Sequence, residues 1–104
     1  MKKIGPDETV ITGDWYMSNG HMRGDENCLR IEEMTQHYLV KLGHDSSGWE
    51  TLYRDPSDGR YWEKTFPKGE MHGGGPPELR LLSPNEAREK YGDDLLDTPA
   101  TSGN

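Results

Sequence analysis

A chain of 104 residues leaves room for one domain, and with 30% hydrophobic residues its core must lean on three tryptophans, five tyrosines and one phenylalanine. Twelve Lys and Arg against 19 Asp and Glu give a net charge of −7, which disfavours nucleic-acid and anionic-membrane partners and favours a basic protein. No apolar run nears the ~20 residues of a membrane span, no signal-peptide pattern follows Met1-Lys2-Lys3, and the lone Cys28 excludes an internal disulfide, so a cytoplasmic setting is expected.

Residues 1–8 read as a leader. Strand-favouring Val10, Ile11, Trp15 and Tyr16 predict one strand over 10–17, closed by the turn residues Ser18-Asn19-Gly20. Asp25 is a good N-cap for a helix near 25–35, with Cys28, Ile31, Thr35 and Tyr38 at helical spacing. Residues 37–43 fit the end of that helix or a strand with Tyr38, Val40 and Leu42 inward. A strand near 37–44 is the preferred reading.

The clearest element is a hairpin over 49–66. Asp55-Pro56-Ser57-Asp58-Gly59-Arg60 separates two strand-like runs, with proline presetting a turn φ and Asp58-Gly59 tolerating left-handed backbone. Pairing Arg54 with Tyr61 sets Tyr53 opposite Trp62, Trp49 opposite Phe66 and Thr51 opposite Lys64 on one face. Leu52 opposite Glu63 and Glu50 opposite Thr65 fall on the other. The two aromatic pairs mark the first face as the core side, because a one-residue slip would scatter them. Pro67 should end the strand, and Lys68–Pro77 forms a loop around Gly73, Gly74, Gly75 and Pro76. Residues 78–82 suit a further strand. Ser83-Pro84-Asn85-Glu86 has capping-box spacing, so a second helix should run over 84–91 and stop at Gly92. The expected fold is α+β: a small, mostly antiparallel sheet with two helices, one domain over 1–92, and an acidic mobile tail over 93–104.

No residue pattern demands chemistry. His21, His37, His44 and His72 show no metal-ligand spacing, and no cofactor site is expected. Glu70 beside His72 would act as an acid–base pair only inside a closed pocket. The glycine loop His72–Pro77 reads either as a tight connection over the aromatic sheet or as backbone that a ligand or another chain can approach closely. Cys28 lies on the apolar helix face, where a lone cysteine is a small core residue. The carboxylates support a sharper reading. Glu50, Arg54 and Glu63 on the outer hairpin face, Asp55 and Asp58 at its tip, and Glu26, Glu32 and Glu33 on the first helix offer an acidic surface to a basic partner. Tyr61 and Leu52 add apolar area to the outer face, unless a helix covers it.

The blocks Gly48-Trp49-Glu50-Thr51-Leu52-Tyr53-Arg54-Asp55-Pro56, Asp58-Gly59-Arg60-Tyr61-Trp62-Glu63 and Met71-His72-Gly73-Gly74-Gly75-Pro76-Pro77 resemble the immunity protein 27 family of bacterial polymorphic toxin systems. Gly13-Asp14-Trp15, Cys28-Leu29-Arg30-Ile31-Glu32 and Asn85–Gly92 extend the likeness over roughly residues 8–92. Phe66-Pro67-Lys68-Gly69 departs from it, where a tyrosine, and a glutamine after the proline, would fit the family. The resemblance implies stoichiometric, non-catalytic binding of a cognate toxin domain in the cytosol; the free protein is expected to be a monomer or weak homodimer. Glu50, Arg54, Asp55, Asp58, Tyr61, Glu63, Glu70 and His72 are the expected partner-binding residues. Trp49, Tyr53, Trp62, Phe66, Gly73, Gly74, Gly75 and Pro76 are the expected structural ones. The alternatives are a small self-associating module, or a ligand-binding domain built on the His72–Pro77 loop.

Overall fold

The computed structural model describes residues 4–69 and 75–96. Within these residues seven strands and three helices follow one another in the order β1 (Val10–Thr12), β2 (Trp15–Ser18), β3 (His21–Gly24), α1 (Glu26–His37), β4 (Val40–His44), β5 (Thr51–Arg54), β6 (Tyr61–Thr65), β7 (Glu78–Leu82), α2 (Pro84–Tyr91) and α3 (Asp93–Leu96). Five strands form one antiparallel sheet in the order β1-β7-β6-β5-β4, and β2 and β3 form a separate ribbon. The α+β class holds.

The expected single strand over 10–17 is two strands in two sheets. Gly13 makes the break. Its N–H donates to the Pro77 carbonyl at 2.9 Å, and a Cβ there would sit 2.7 Å from Cys28 Sγ and 2.8 Å from the Pro77 oxygen. Only glycine lets the backbone pass this close. Beyond it β2 pairs with β3 through a tight Asn19-Gly20 turn, both residues at positive φ (51° and 80°) as a type I′ hairpin needs.

Asp25 caps α1, its carboxylate accepting from Cys28 N–H at 2.9 Å. The helix runs past the expected end at 35, to His37. Its buried stripe is Cys28, Ile31 and Met34. Tyr38 and Leu39 both donate their N–H to the Met34 carbonyl, at 3.0 and 2.7 Å, and Tyr38 leaves helical geometry, so the chain exits directly into β4. That resolves residues 40–44 as strand. A bulge between Lys41 and Gly43 bends β4, and Leu95 of α3 packs where a Gly43 side chain would stand.

The hairpin register is as expected: Arg54 opposite Tyr61, Tyr53 opposite Trp62, Leu52 opposite Glu63 and Thr51 opposite Lys64. The one-sided core is not. Tyr53 and Trp62 join Ile11, Ile31, Met34, Leu39 and Leu79 in a cluster on the α1 side. Leu52, Leu42 and Leu82 meet Ala87 of α2 and Leu96 of α3 in a second cluster on the opposite side. Helices therefore cover both faces of the sheet, and the face expected to point at solvent is interior. Trp49 departs in the other sense. Expected in the core, it is 61% exposed, although its ring meets the half-buried Phe66 edge-on at 6.0 Å as the register requires.

β7 and α2 fall where the sequence places them, and the capping box is complete. Ser83 Oγ accepts from Glu86 N–H at 3.1 Å, and Glu86 accepts from Ser83 N–H at 2.8 Å. Gly92 follows with φ 88°. Past Gly92, Asp93–Leu96 forms a helical turn whose Leu96 is buried in the second cluster. Residues 97–104 of the expected tail, and Glu70, His72, Gly73 and Gly74 of the glycine loop, lie outside the described residues. Gly75 and Pro76 are buried, and Gly75 has φ 77° with the Lys68 carbonyl oxygen 2.5 Å from where a Cβ would be.

Candidate partner-binding surface

Charge placement decides which expected contact residues remain accessible. Glu63 sits at the centre of the sheet and is fully buried by α2. Its carboxylate accepts from Arg80 Nε at 3.0 Å and from the Tyr91 hydroxyl at 2.8 Å, and lies 2.6 Å from Lys90 Nζ. Burial alone would raise this carboxyl, but the Lys90, Tyr91 and Arg80 donors outweigh it and hold the group below the usual glutamate range. Burial and the Glu63 charge together push the Tyr91 phenol up. Lys90 also pairs with Glu50, so one ammonium joins an interior and a surface carboxylate. Glu63, expected among the partner-binding residues, thus lies in the interior of the protein and not on its surface.

Asp55 is likewise buried. Its Oδ1 accepts from the Tyr38 hydroxyl at 2.6 Å and from the Ser57 N–H and Oγ, both at 2.8 Å, which ties the hairpin loop to the end of α1. Burial opposes its ionisation, and the Tyr38 and Ser57 donors overcome that, so its carboxyl lies below the ordinary aspartate value. Arg54 turns inward too, donating from Nη1 to the Leu96 carbonyl at 3.3 Å and so holding the C-terminal end of α3. The outer face of the hairpin is scaffold.

Asp58 stays exposed but is engaged by Arg60 Nε at 2.6 Å. Arg60 also donates to the Gly5 and Glu8 carbonyls, and Arg30 grips the Glu8 carboxylate with two bonds of 2.6 and 2.9 Å. These contacts tie residues 5–8 of the leader to the body. Asp58, Arg60 and Tyr61 line a cavity of about 610 Å³ with Leu81, Leu82 and Pro84. Tyr61 is half-buried there and packs against the second cluster.

The α1 side leaves a different surface open. A groove of about 350 Å³ runs between Trp15, Leu29 and Glu32 on one wall and Lys64 and Phe66 on the other. A second, of about 350 Å³, lies between Trp49, Glu50 and Phe66, so Phe66 belongs to both. Lys64 Nζ stands 5.7 Å from the Phe66 ring centroid. Leu29 is 64% exposed on the solvent side of α1, surrounded in sequence by the exposed Glu26, Glu32 and Glu33. Of the described residues expected to bind a partner, only Glu50 borders this surface; Glu70 and His72 lie outside the described residues. Leu29 was missed because helical spacing assigns only the inner stripe; the available signal was a leucine stranded on the charged side of an amphipathic helix.

Among the described residues no group of three or more His, Cys, Asp or Glu could hold a metal ion, and no helix is long and apolar enough to cross a membrane. Cys28 is buried, and burial pushes its thiol up, away from nucleophilic character. His21, His37 and His44 are exposed. A model of the immunity protein 27 family matches residues 17–83, from within the β2–β3 ribbon to the N-cap of α2. No curated protein and no solved structure matches the chain.

Proposed function

The chain belongs to the immunity protein 27 family, and from that membership we propose that it is a stoichiometric inhibitor of a cytosol-acting toxin domain, a nuclease, whose active site it occludes. The family implies a toxin protein as partner and an inhibitor rather than an enzyme. The match over residues 17–83 carries the reading, since it takes in α1 and the sheet strands β4 to β7.

The charge supports the finer part. A nuclease cleft that grips a phosphate backbone is lined with lysine and arginine. A protein of net charge −7 is attracted to such a cleft over a Debye length of roughly 8–10 Å, and its surface carboxylates offer the sign of charge that the cleft evolved to hold. Inhibition then needs no chemistry from the inhibitor. It needs a rigid shape and a favourable approach.

Titration of the C-terminal domain encoded by the adjacent toxin reading frame tests this. The expected result is loss of nuclease activity at one equivalent and co-elution as a single complex. Undiminished activity with excess protein, or no complex at micromolar concentration, overturns it.

A further inference from the structure

We infer that the toxin domain docks on one continuous face, made by the solvent side of α1 and the neighbouring Trp49–Phe66 seam, through a basic segment that lays arginine and lysine side chains across Leu29, Phe66 and Trp49. This inference rests on the inhibitor reading above and adds to it the surface and the chemistry of the contacting segment.

Apolar exposure comes first. Leu29 and Trp49 are 64% and 61% exposed, and neither contributes to either core cluster. The two grooves beside them adjoin at Phe66, which lines both. A tryptophan open on a grooved surface is the residue type on which interface energy concentrates.

Charge then selects the occupant. Glu26 and Glu33 lie one helical turn to either side of Leu29 and Glu32 forms the groove wall, so these three carboxylates make the rim, while Glu50 beside Trp49 is engaged by Lys90. Lys64 is the one basic residue among the described residues lining either groove, and it rests against the Phe66 ring. An apolar floor within an acidic rim fits long cationic side chains, whose methylene stems cover the floor while their heads reach the carboxylates. A guanidinium over the Trp49 indole adds a cation–π contact. The opposite side of the molecule lacks this combination. Its cavity holds Asp58 already paired with Arg60, and Tyr61 committed to the second cluster.

The test measures binding of the adjacent frame's toxin domain, silenced by an active-site substitution, by calorimetry at about 50 and about 300 mM salt. Trp49→Ala and Leu29→Ala should each weaken binding by about tenfold or more at both salt concentrations. The double variant Glu32→Lys/Glu33→Lys should weaken it strongly at low salt and less at high salt. Asp58→Ala should stay within about twofold of the parent. All five positions are exposed, and circular dichroism checks that each variant is folded. Parental affinity in the Trp49 and Leu29 variants, with loss in Asp58→Ala, overturns the inference while leaving the inhibitor reading intact. A dimer of this chain that Trp49→Ala dissociates, with toxin binding unchanged, overturns it in favour of a second copy as occupant. Failure of the parent itself to bind overturns both.

Discussion

Replacing Glu63 by glutamine keeps the side-chain shape and removes one interior charge. In the parent that charge receives Arg80 at 3.0 Å, Tyr91 at 2.8 Å and Lys90 at 2.6 Å. Breaking a fully buried ion pair costs about 3–5 kcal/mol. Here the two cations are only partly covered, with Arg80 half exposed and Lys90 one-third exposed at the side chain, so both can return to water. The amide also keeps an acceptor for Tyr91. We therefore expect Glu63→Gln to lose about 2–3 kcal/mol at pH 7, a fall in Tm of roughly 10–20 °C for a domain of this size. The pH dependence is a second signature. Because the folded carboxyl lies below its ordinary value, its stabilisation is complete above the unfolded glutamate pKa of about 4.3 and is lost as the pH falls through the folded value. The gap between parent and variant should thus be widest near pH 7 and close progressively below about pH 4. Urea titrations followed by tryptophan fluorescence at several pH values measure it. Equal stability at pH 7, or a gap that stays constant into acid, would refute the assigned network.

Four further substitutions at three positions probe the scaffold by the same denaturation assay. Trp62→Ala should cost about 3–5 kcal/mol, whereas Trp62→Phe should cost only about 1–2, because it also removes an indole N–H that has no hydrogen-bond partner; equal costs would count against this account. Tyr38→Phe takes a 2.6 Å donor from buried Asp55 and should lose about 1.5–3 kcal/mol, with the loss shrinking in acid as Asp55 protonates. Gly75→Ala combines a positive φ with a Cβ forced to 2.5 Å from the Lys68 oxygen, so a loss of at least about 1–3 kcal/mol is expected, and an unchanged midpoint would show that the turn rearranges freely.

Local chemistry was legible and distant packing was not. The Asp25 cap, the Ser83–Glu86 box and the Arg54–Tyr61 register depend on residues a few positions apart, and each stands as read. Glu63 was misplaced because alternation along a strand tells which residues share a face, not whether a helix will cover it. The partners that make its burial tolerable, Arg80, Lys90 and Tyr91, lie 17 to 28 positions away. Asp55 repeats the lesson: a loop aspartate reads as exposed until Tyr38, 17 positions upstream, folds onto it. At the candidate surface, Glu32 and Glu33 were visible as acids on a helix. What gives them a setting, the approach of Phe66 and Lys64 to Leu29, exists only once sheet and helix are packed.

The two margins of the main sheet carry a consequence for how the protein behaves in quantity. One margin, β1, offers only three residues, and the other, β4, is kinked by its bulge and roofed at Gly43 by Leu95. Neither presents the long flat row of unpaired amides that templates fibril growth. Blunted borders of this kind disfavour edge-to-edge pairing between copies of the chain as its concentration rises.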